Sequence, residues 1–210
     1  MRVALFGGTF DPPHRGHLGI TRAAAEAFAL DTVLFAPVGR QPLKPGMTAT
    51  SFDDRLAMVT LACEEYMEQS ASHTRFVASM IDAPQPGDAP NYTVDTLTAL
   101  REQMPEATIY NLVGADSFLS LRQWREPQRL LASAEWIVVS RPGYSLANLS
   151  SLALTPGERK RVHLLETANY DVSSTYLRGR LAAGDSARDL LPDAVARYIR
   201  DHNLYRAAAS

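Results

Sequence analysis

Short apolar runs alternate along this chain with longer segments in which apolar residues return every three or four positions. The first run, Val3–Phe6, ends in Gly7-Gly8. Ile20, Ala24, Ala27 and Phe28 then fall at i, i+4, i+7 and i+8, the spacing of a helix with one buried face. Thr32–Ala36 reads as a second buried strand. Ser51 with Asp54 three residues later marks a helix start, and Leu56, Val59, Cys63 and Met67 continue one face of that helix. Thr74–Ser79 is the third expected strand, and Tyr92–Met104 the next helix, with Thr93 as its expected cap. Ile109–Val113, Trp136–Val139 and Val162–Leu165 give further strands, the first of them ending in Gly114. Ser173 or Ser174 is expected to cap a helix reaching about Ala183, stopped by Gly184, and Pro192 opens a last helix through Ile199.

Strands that are apolar throughout, alternating with helices, predict a sheet whose two faces are both covered. The expected fold is α/β and Rossmann-like: a doubly wound, mostly parallel sheet of five or six strands with a small C-terminal helical portion. Residues 1–206 are expected to form one domain and 207–210 a frayed tail. The stretches Val38–Thr50 and Asp82–Asn91 are rich in proline and glycine and long for a compact domain, which favours a working role. Ser145–Arg161 yields no clear pattern.

Composition narrows the function by exclusion. The chain is 46% hydrophobic and 21% charged, ordinary for a globular protein. A net charge of −2 argues against nucleic acid as partner. The single cysteine, Cys63, fits a reducing compartment and lies on the apolar face of its helix, so it reads as a core residue. The N-terminus opens directly as a strand with no leader pattern, and no apolar run approaches the ~20 residues that span a bilayer. A cytoplasmic protein without a membrane partner is expected. Whether it is a monomer or a homo-oligomer is left open.

The chemistry concentrates where the first strand meets the first helix, in Gly7-Gly8-Thr9-Phe10-Asp11-Pro12-Pro13-His14-Arg15-Gly16-His17. Ligands of open α/β sheets sit beyond the carboxyl ends of the strands. Gly7 and Gly8 keep side chains away from a backbone that a ligand must approach, and the helix that follows offers unpaired N–H groups to an anion. His14 and His17, three apart at a helix start, can share one face. These features describe a phosphate site. Two alternatives stand beside it: a metal pair, which lacks a third ligand nearby, and two solvated histidines in a polar turn.

This segment resembles the first signature of the His-x-Gly-His nucleotidyltransferase superfamily, and within it the bacterial nicotinate-nucleotide adenylyltransferases. Pro90-Asn91-Tyr92-Thr93-Val94-Asp95-Thr96-Leu97, Gly114-Ala115-Asp116-Ser117 with the downstream Trp124, Arg141-Pro142-Gly143, and Val172-Ser173-Ser174-Thr175-Tyr176-Leu177-Arg178 are similar to the family's further segments. Where the family often has Pro-Pro-His-Lys, this chain has Gln41-Pro42-Leu43-Lys44, keeping the lysine without the histidine. A dehydrogenase is disfavoured because the first loop has no Gly-x-Gly-x-x-Gly.

The resemblance implies adenylyl transfer from ATP, with Mg²⁺ held mainly by phosphates and water, to nicotinate mononucleotide. A sister enzyme using nicotinamide mononucleotide or another phosphorylated acceptor is the alternative, and a non-catalytic nucleotide-binding regulator a remote one. It implies His17, His14 and Arg178 as catalytic residues. Gly7, Gly8, Thr9, Phe10, Gly114, Asp116, Ser173, Ser174 and Thr175 join them around ATP. Asp11, Lys44, Tyr92, Thr93, Trp124 and Arg141 are implied around the mononucleotide. On this reading Asp116 takes the ribose hydroxyls, Trp124 stacks on the pyridine ring, and Lys44 with Arg40 closes over the phosphates.

Overall fold

The computed structural model describes residues 1–42, 48–140, 146–167 and 172–206, with backbone only for 146–148. Six parallel strands lie side by side in the order β3 (Arg75–Ala78), β2 (Thr32–Pro37), β1 (Arg2–Gly8), β4 (Thr108–Gly114), β5 (Glu135–Ser140), β6 (Val162–Glu166). The chain therefore winds outward from β1 in one direction, returns, and winds outward from β4 in the other. The crevice beyond the carboxyl ends of β1 and β4 is the point of reversal, where such sheets bind ligands.

Alternate residues of each strand feed two cores. Val3 and Leu5 face one layer with Leu34, Ile109 and Trp136, covered by α3 (Thr93–Gln103), α4 (Ala115–Leu119) and α5 (Pro127–Ser133). Ala4 and Phe6 face the other with Val33, Phe35, Tyr110 and Ile137, covered by α1 (Arg15–Phe28) and α2 (Phe52–Gln69). That double cover is why β1 and β2 carry apolar runs without alternation. A third cluster joins Met58 and Ala62 of α2 to α7 (Ser174–Ala182) and α8 (Asp193–Asp201). The short helix α6 (Pro156–Lys160) precedes β6, opened by Thr155 and Glu158, each side chain bonding the other's backbone N–H.

Cys63 is buried and its thiol is pushed up to about 12 by burial, so it is an inert core residue. Ser173 caps α7, accepting from Tyr176 N–H at 3.1 Å, and Gly184 takes the left-handed conformation (φ 85°) just past the end of that helix. One expectation is corrected: Thr93 does not cap α3. Tyr92 occupies the cap position without a side-chain bond, and Thr93 is the first helical residue.

Candidate active site

β1 ends in Gly7 and Gly8 beside the first turn of α1. His14 is the N-cap of that helix, and its backbone N–H donates to Nδ1 of His17 at 3.2 Å. The second imidazole thus takes the part a glutamate plays in a capping box, which is a local reason for two histidines three residues apart. The rings stack with centroids 3.6 Å apart. Below them lies Phe10, its ring 5.0 Å from His17 and 5.4 Å from Phe6.

The stack is desolvated. His14 is buried, its Nδ1 has no hydrogen-bond partner among the described residues, and burial lowers its pKa from 6.5 to about 4. Burial and the neighbouring His14 hold His17 well below its ordinary value. Both rings are neutral at pH 7. Because Nδ1 of His17 accepts a hydrogen bond, its proton sits on Nε2, which makes that nitrogen a donor.

This burial has a consequence for stability. In the unfolded chain His14 titrates near its ordinary value; in the fold it takes a proton only near pH 4. The unfolded state therefore binds more protons between those values, so stability is complete above about pH 6.5 and falls as pH drops toward 4. From pH 7 to pH 5 this amounts to about 2 kcal/mol for His14. Urea unfolding of the parent and of His14→Asn at both pH values is expected to show a loss on acidification that is smaller in the variant by that amount. Parallel losses would refute a buried neutral ring.

Side chains from outside hold the loop that carries the signature. Arg55 of α2, buried to 1% exposure, donates through Nη1 to the carbonyls of Thr9 (2.9 Å) and Val38 (2.8 Å). From α7, Arg178 donates to the Asp11 carbonyl (2.8 Å) and Ser174 to the Pro12 carbonyl (3.0 Å). Thr175 accepts from Arg178, and its exposed side chain lies at the same helix start. The structure thus brings Arg178, Ser174 and Thr175 to the signature loop.

Two predicted contacts are corrected. The carboxylate of Asp11 is fully buried and accepts from Ala49 N–H (2.5 Å), Thr50 Oγ (2.7 Å) and Tyr205 Oη (2.6 Å), so it is committed to the protein's own groups rather than to a mononucleotide. The ring of Phe10 is buried in the aromatic cluster beneath His17, which leaves only its backbone to meet a nucleotide. Glycine roles also divide: a Cβ on Gly7 or Gly114 would meet nothing within 4 Å, whereas one on Gly8 would press on the Phe10 ring at 3.1 Å.

A cleft of about 190 Å³ opens beside β1 and β4. Gly7, Gly8, Asn111, Tyr92, Thr93 and Trp124 are among its walls. Trp124 is half-buried; its indole N–H donates to Ser120 Oγ at 3.0 Å, while Trp136 is the fully buried core tryptophan. Asp116 is exposed in the first turn of α4, one residue beyond open-faced Gly114 and its successor Ala115, with no hydrogen-bond partner among the described residues. Asp82 also lines the cleft; it accepts from Thr96 Oγ at 2.8 Å, and burial raises its pKa.

Val38–Pro42, the first described part of one proline- and glycine-rich stretch, meets Asp82–Asn91 along one wall. Asn91 accepts from Arg40 N–H and donates to the Ala83 carbonyl, both at 2.8 Å. A Cβ on Gly39 would fall 2.5 Å from Pro84 N, so only glycine allows this approach. Arg40, expected with Lys44 to close over the phosphates, pairs with Asp88 at the surface. Lys44 and Arg141 lie outside the described residues. Sequence reasoning missed Arg55, Tyr205, Asp82 and Thr50. Of these only Arg55 left a signal, as an arginine on the same helical stripe as Met58, Val59 and Ala62.

Residues 5–180 match the cytidylyltransferase-like family. A protein of Roseiflexus sp. (strain RS-1) is 43% identical over 205 residues, 97% of this chain and 98% of its own length. One of Solibacter usitatus (strain Ellin6076) is 38% identical over 206 residues, 98% of this chain and all of its own. Both are named "Probable nicotinate-nucleotide adenylyltransferase". The chain belongs to the nicotinate-nucleotide adenylyltransferase family. The same fold is seen in a solved structure of Plasmodium falciparum nicotinic acid mononucleotide adenylyltransferase complexed with NaAD (TM-score 0.72, 18% identity, 97% of each chain covered). For this nicotinate-nucleotide adenylyltransferase family member, no helix among the described residues is long and apolar enough to cross a membrane.

Proposed function

We propose that the protein transfers the adenylyl group of magnesium-bound ATP to the phosphate of nicotinate mononucleotide, giving nicotinate adenine dinucleotide and pyrophosphate, a step of NAD biosynthesis. The observation that carries this reading is a stacked pair of neutral imidazoles at the glycine end of β1, beside a cleft at the sheet's point of reversal. The acceptor phosphate, with a second pKa near ~6, is already ionised at neutral pH and needs no strong base. Its oxygen attacks the α-phosphorus in line and pyrophosphate leaves. The protein's task is alignment and neutralisation of charge at that phosphorus.

In this reading Nε2–H of His17 donates to the α-phosphate, with His14 stacked against it and Thr9 and the Gly8 backbone alongside. Ser174, Thr175 and Arg178 face the β- and γ-phosphates from α7. Gly114 admits the ribose, and Asp116 accepts from its hydroxyls. Thr93, freed from capping, and the first N–H groups of α3 take the ring carboxylate, with Tyr92 and Trp124 along the ring. Lys44 and Arg141 are assigned to the acceptor phosphate by resemblance alone. Among the described residues no three His, Cys, Asp or Glu side chains cluster as a chelate. Mg²⁺ is assigned to the substrate, arriving on the ATP phosphates with its water.

Pyrophosphate release is expected with ATP and nicotinate mononucleotide, and slower release with nicotinamide mononucleotide. In the same assay Trp124→Ala is expected to raise KM for the mononucleotide by the equivalent of ~1–3 kcal/mol while leaving KM for ATP unchanged. Equal or faster rates with nicotinamide mononucleotide would overturn the acceptor. Absence of pyrophosphate with both would overturn the reaction.

A further inference from the structure

The strand-to-helix loop bearing the two histidines is suspended from segments remote in sequence, and one of these suspensions reaches it from the C-terminal end of the chain. Asp11 is the hub. Its Oδ1 accepts from Thr50 Oγ at 2.7 Å and from Tyr205 Oη at 2.6 Å, and its Oδ2 from Ala49 N–H at 2.5 Å. A carboxylate with no exposed surface depends on such donors, because buried polar oxygens left unpaired are costly. Tyr205 is bound into this arrangement from both sides: its ring packs on the cluster of Met58, Leu177 and Leu181, and its hydroxyl also lies 4.0 Å from the Met58 sulfur. Its backbone sits at φ 60°, the left-handed region that a bulky residue adopts only where its surroundings impose it.

We propose that Tyr205 is a positioning residue for adenylyl transfer, acting through the Asp11 carboxylate to fix the loop on which His14 and His17 stand. The proposal rests on the reaction given above. The path is short in space. Asp11 carries the carboxylate that Tyr205 holds, its own carbonyl is held by Arg178, and two prolines separate it from His14 at the head of α1. Removing one of three donors from a buried carboxylate leaves it anchored by Thr50 and Ala49 but free to tilt. Displacements of this kind in a donor array lower turnover more than ground-state binding.

The test compares the parent with Tyr205→Phe, which keeps the ring and removes only the hydroxyl, with Asp11→Asn and with the double variant. Rates are measured by pyrophosphate release and corrected for folded protein by ATP binding. Tyr205→Phe is expected to lower kcat roughly tenfold, with both KM values within about twofold of the parent. The double variant is expected to be no slower than Asp11→Asn alone, because both changes cut the same connection. Parental kcat in Tyr205→Phe, losses explained by a smaller folded fraction, or additive losses in the double variant would each overturn the positioning role of Tyr205. A parent that releases no pyrophosphate would overturn the reaction instead, so the two failures are distinct.

Discussion

His17→Asn is expected to lower turnover by ~10²–10³ while leaving the protein folded. The two nitrogens of His17 do different work. Nδ1 accepts the N–H of His14 and closes the start of α1; Nε2, which carries the proton, is the donor assigned to the α-phosphate. Asparagine places its side-chain oxygen where Nδ1 stands and has nothing at the position of Nε2. The helix start therefore survives the change and the phosphate donor does not. Some packing is lost with the ring, which lies 5.0 Å from Phe10 and is stacked on His14, so the melting temperature should fall by a few degrees only. Glutamine reverses the split: its amide reaches toward Nε2 and gives up the acceptor for His14, so His17→Gln should recover part of the turnover at lower stability. Calorimetry and single-turnover rates on both variants decide this. If the asparagine variant turned over within a few-fold of the parent, His17 would have no role beyond the helix start.

What the sequence discloses here follows from which interactions are local. The strands are legible because both faces of the sheet are covered, so Val3–Phe6 and Thr32–Ala36 are apolar without alternation. The loop between β1 and α1 is legible because its glycines and histidines fall within eleven residues of one another. Ser173 and Gly184 bound α7 as their chemistry requires. Elements of five to seven residues, such as α4 and α5, are too short for helical periodicity to register. For α6 the capping pair Thr155 and Glu158 with Pro156 between them was the only sign. Thr93 misleads because a threonine before an apolar run is a common cap, yet here Tyr92 holds that position. Asp11 misleads for a deeper reason: its principal partner, Tyr205, lies 194 positions away, and no spacing rule reaches that far. The aromatic at position 10 reads as a ligand contact in a signature and proves to be the support beneath a histidine.

Arg55 extends this argument to stability. Arg55→Met is expected to destabilise the fold by ~3–5 kcal/mol, as is usual when one member of a buried charged arrangement is removed. The methionine keeps most of the aliphatic length and discards the guanidinium. The carbonyls of Thr9 and Val38, joined by Nη1 at 2.9 and 2.8 Å, then lose a shared donor, and the ends of β1 and β2 lose the tie between them. The Asp11 carboxylate, whose negative charge opposes the effect of burial and favours an ionised Arg55, also loses its nearby positive partner. For a chain of this length each kcal/mol is worth ~2–4 °C, so the melting temperature should fall by about 6–20 °C. Turnover should fall as well, because Thr9 and the strand end belong to the loop that carries His14 and His17. A second substitution separates the two contributions. In the Arg55→Met background, Asp11→Asn removes the buried charge that has lost its counterpart and should return part of the stability, whereas in the parent the same change should only destabilise. Such a reversal of sign means that Arg55 and Asp11 form one electrostatic unit supporting the histidine loop. If Asp11→Asn destabilised both backgrounds equally, Arg55 would act through its carbonyl contacts alone.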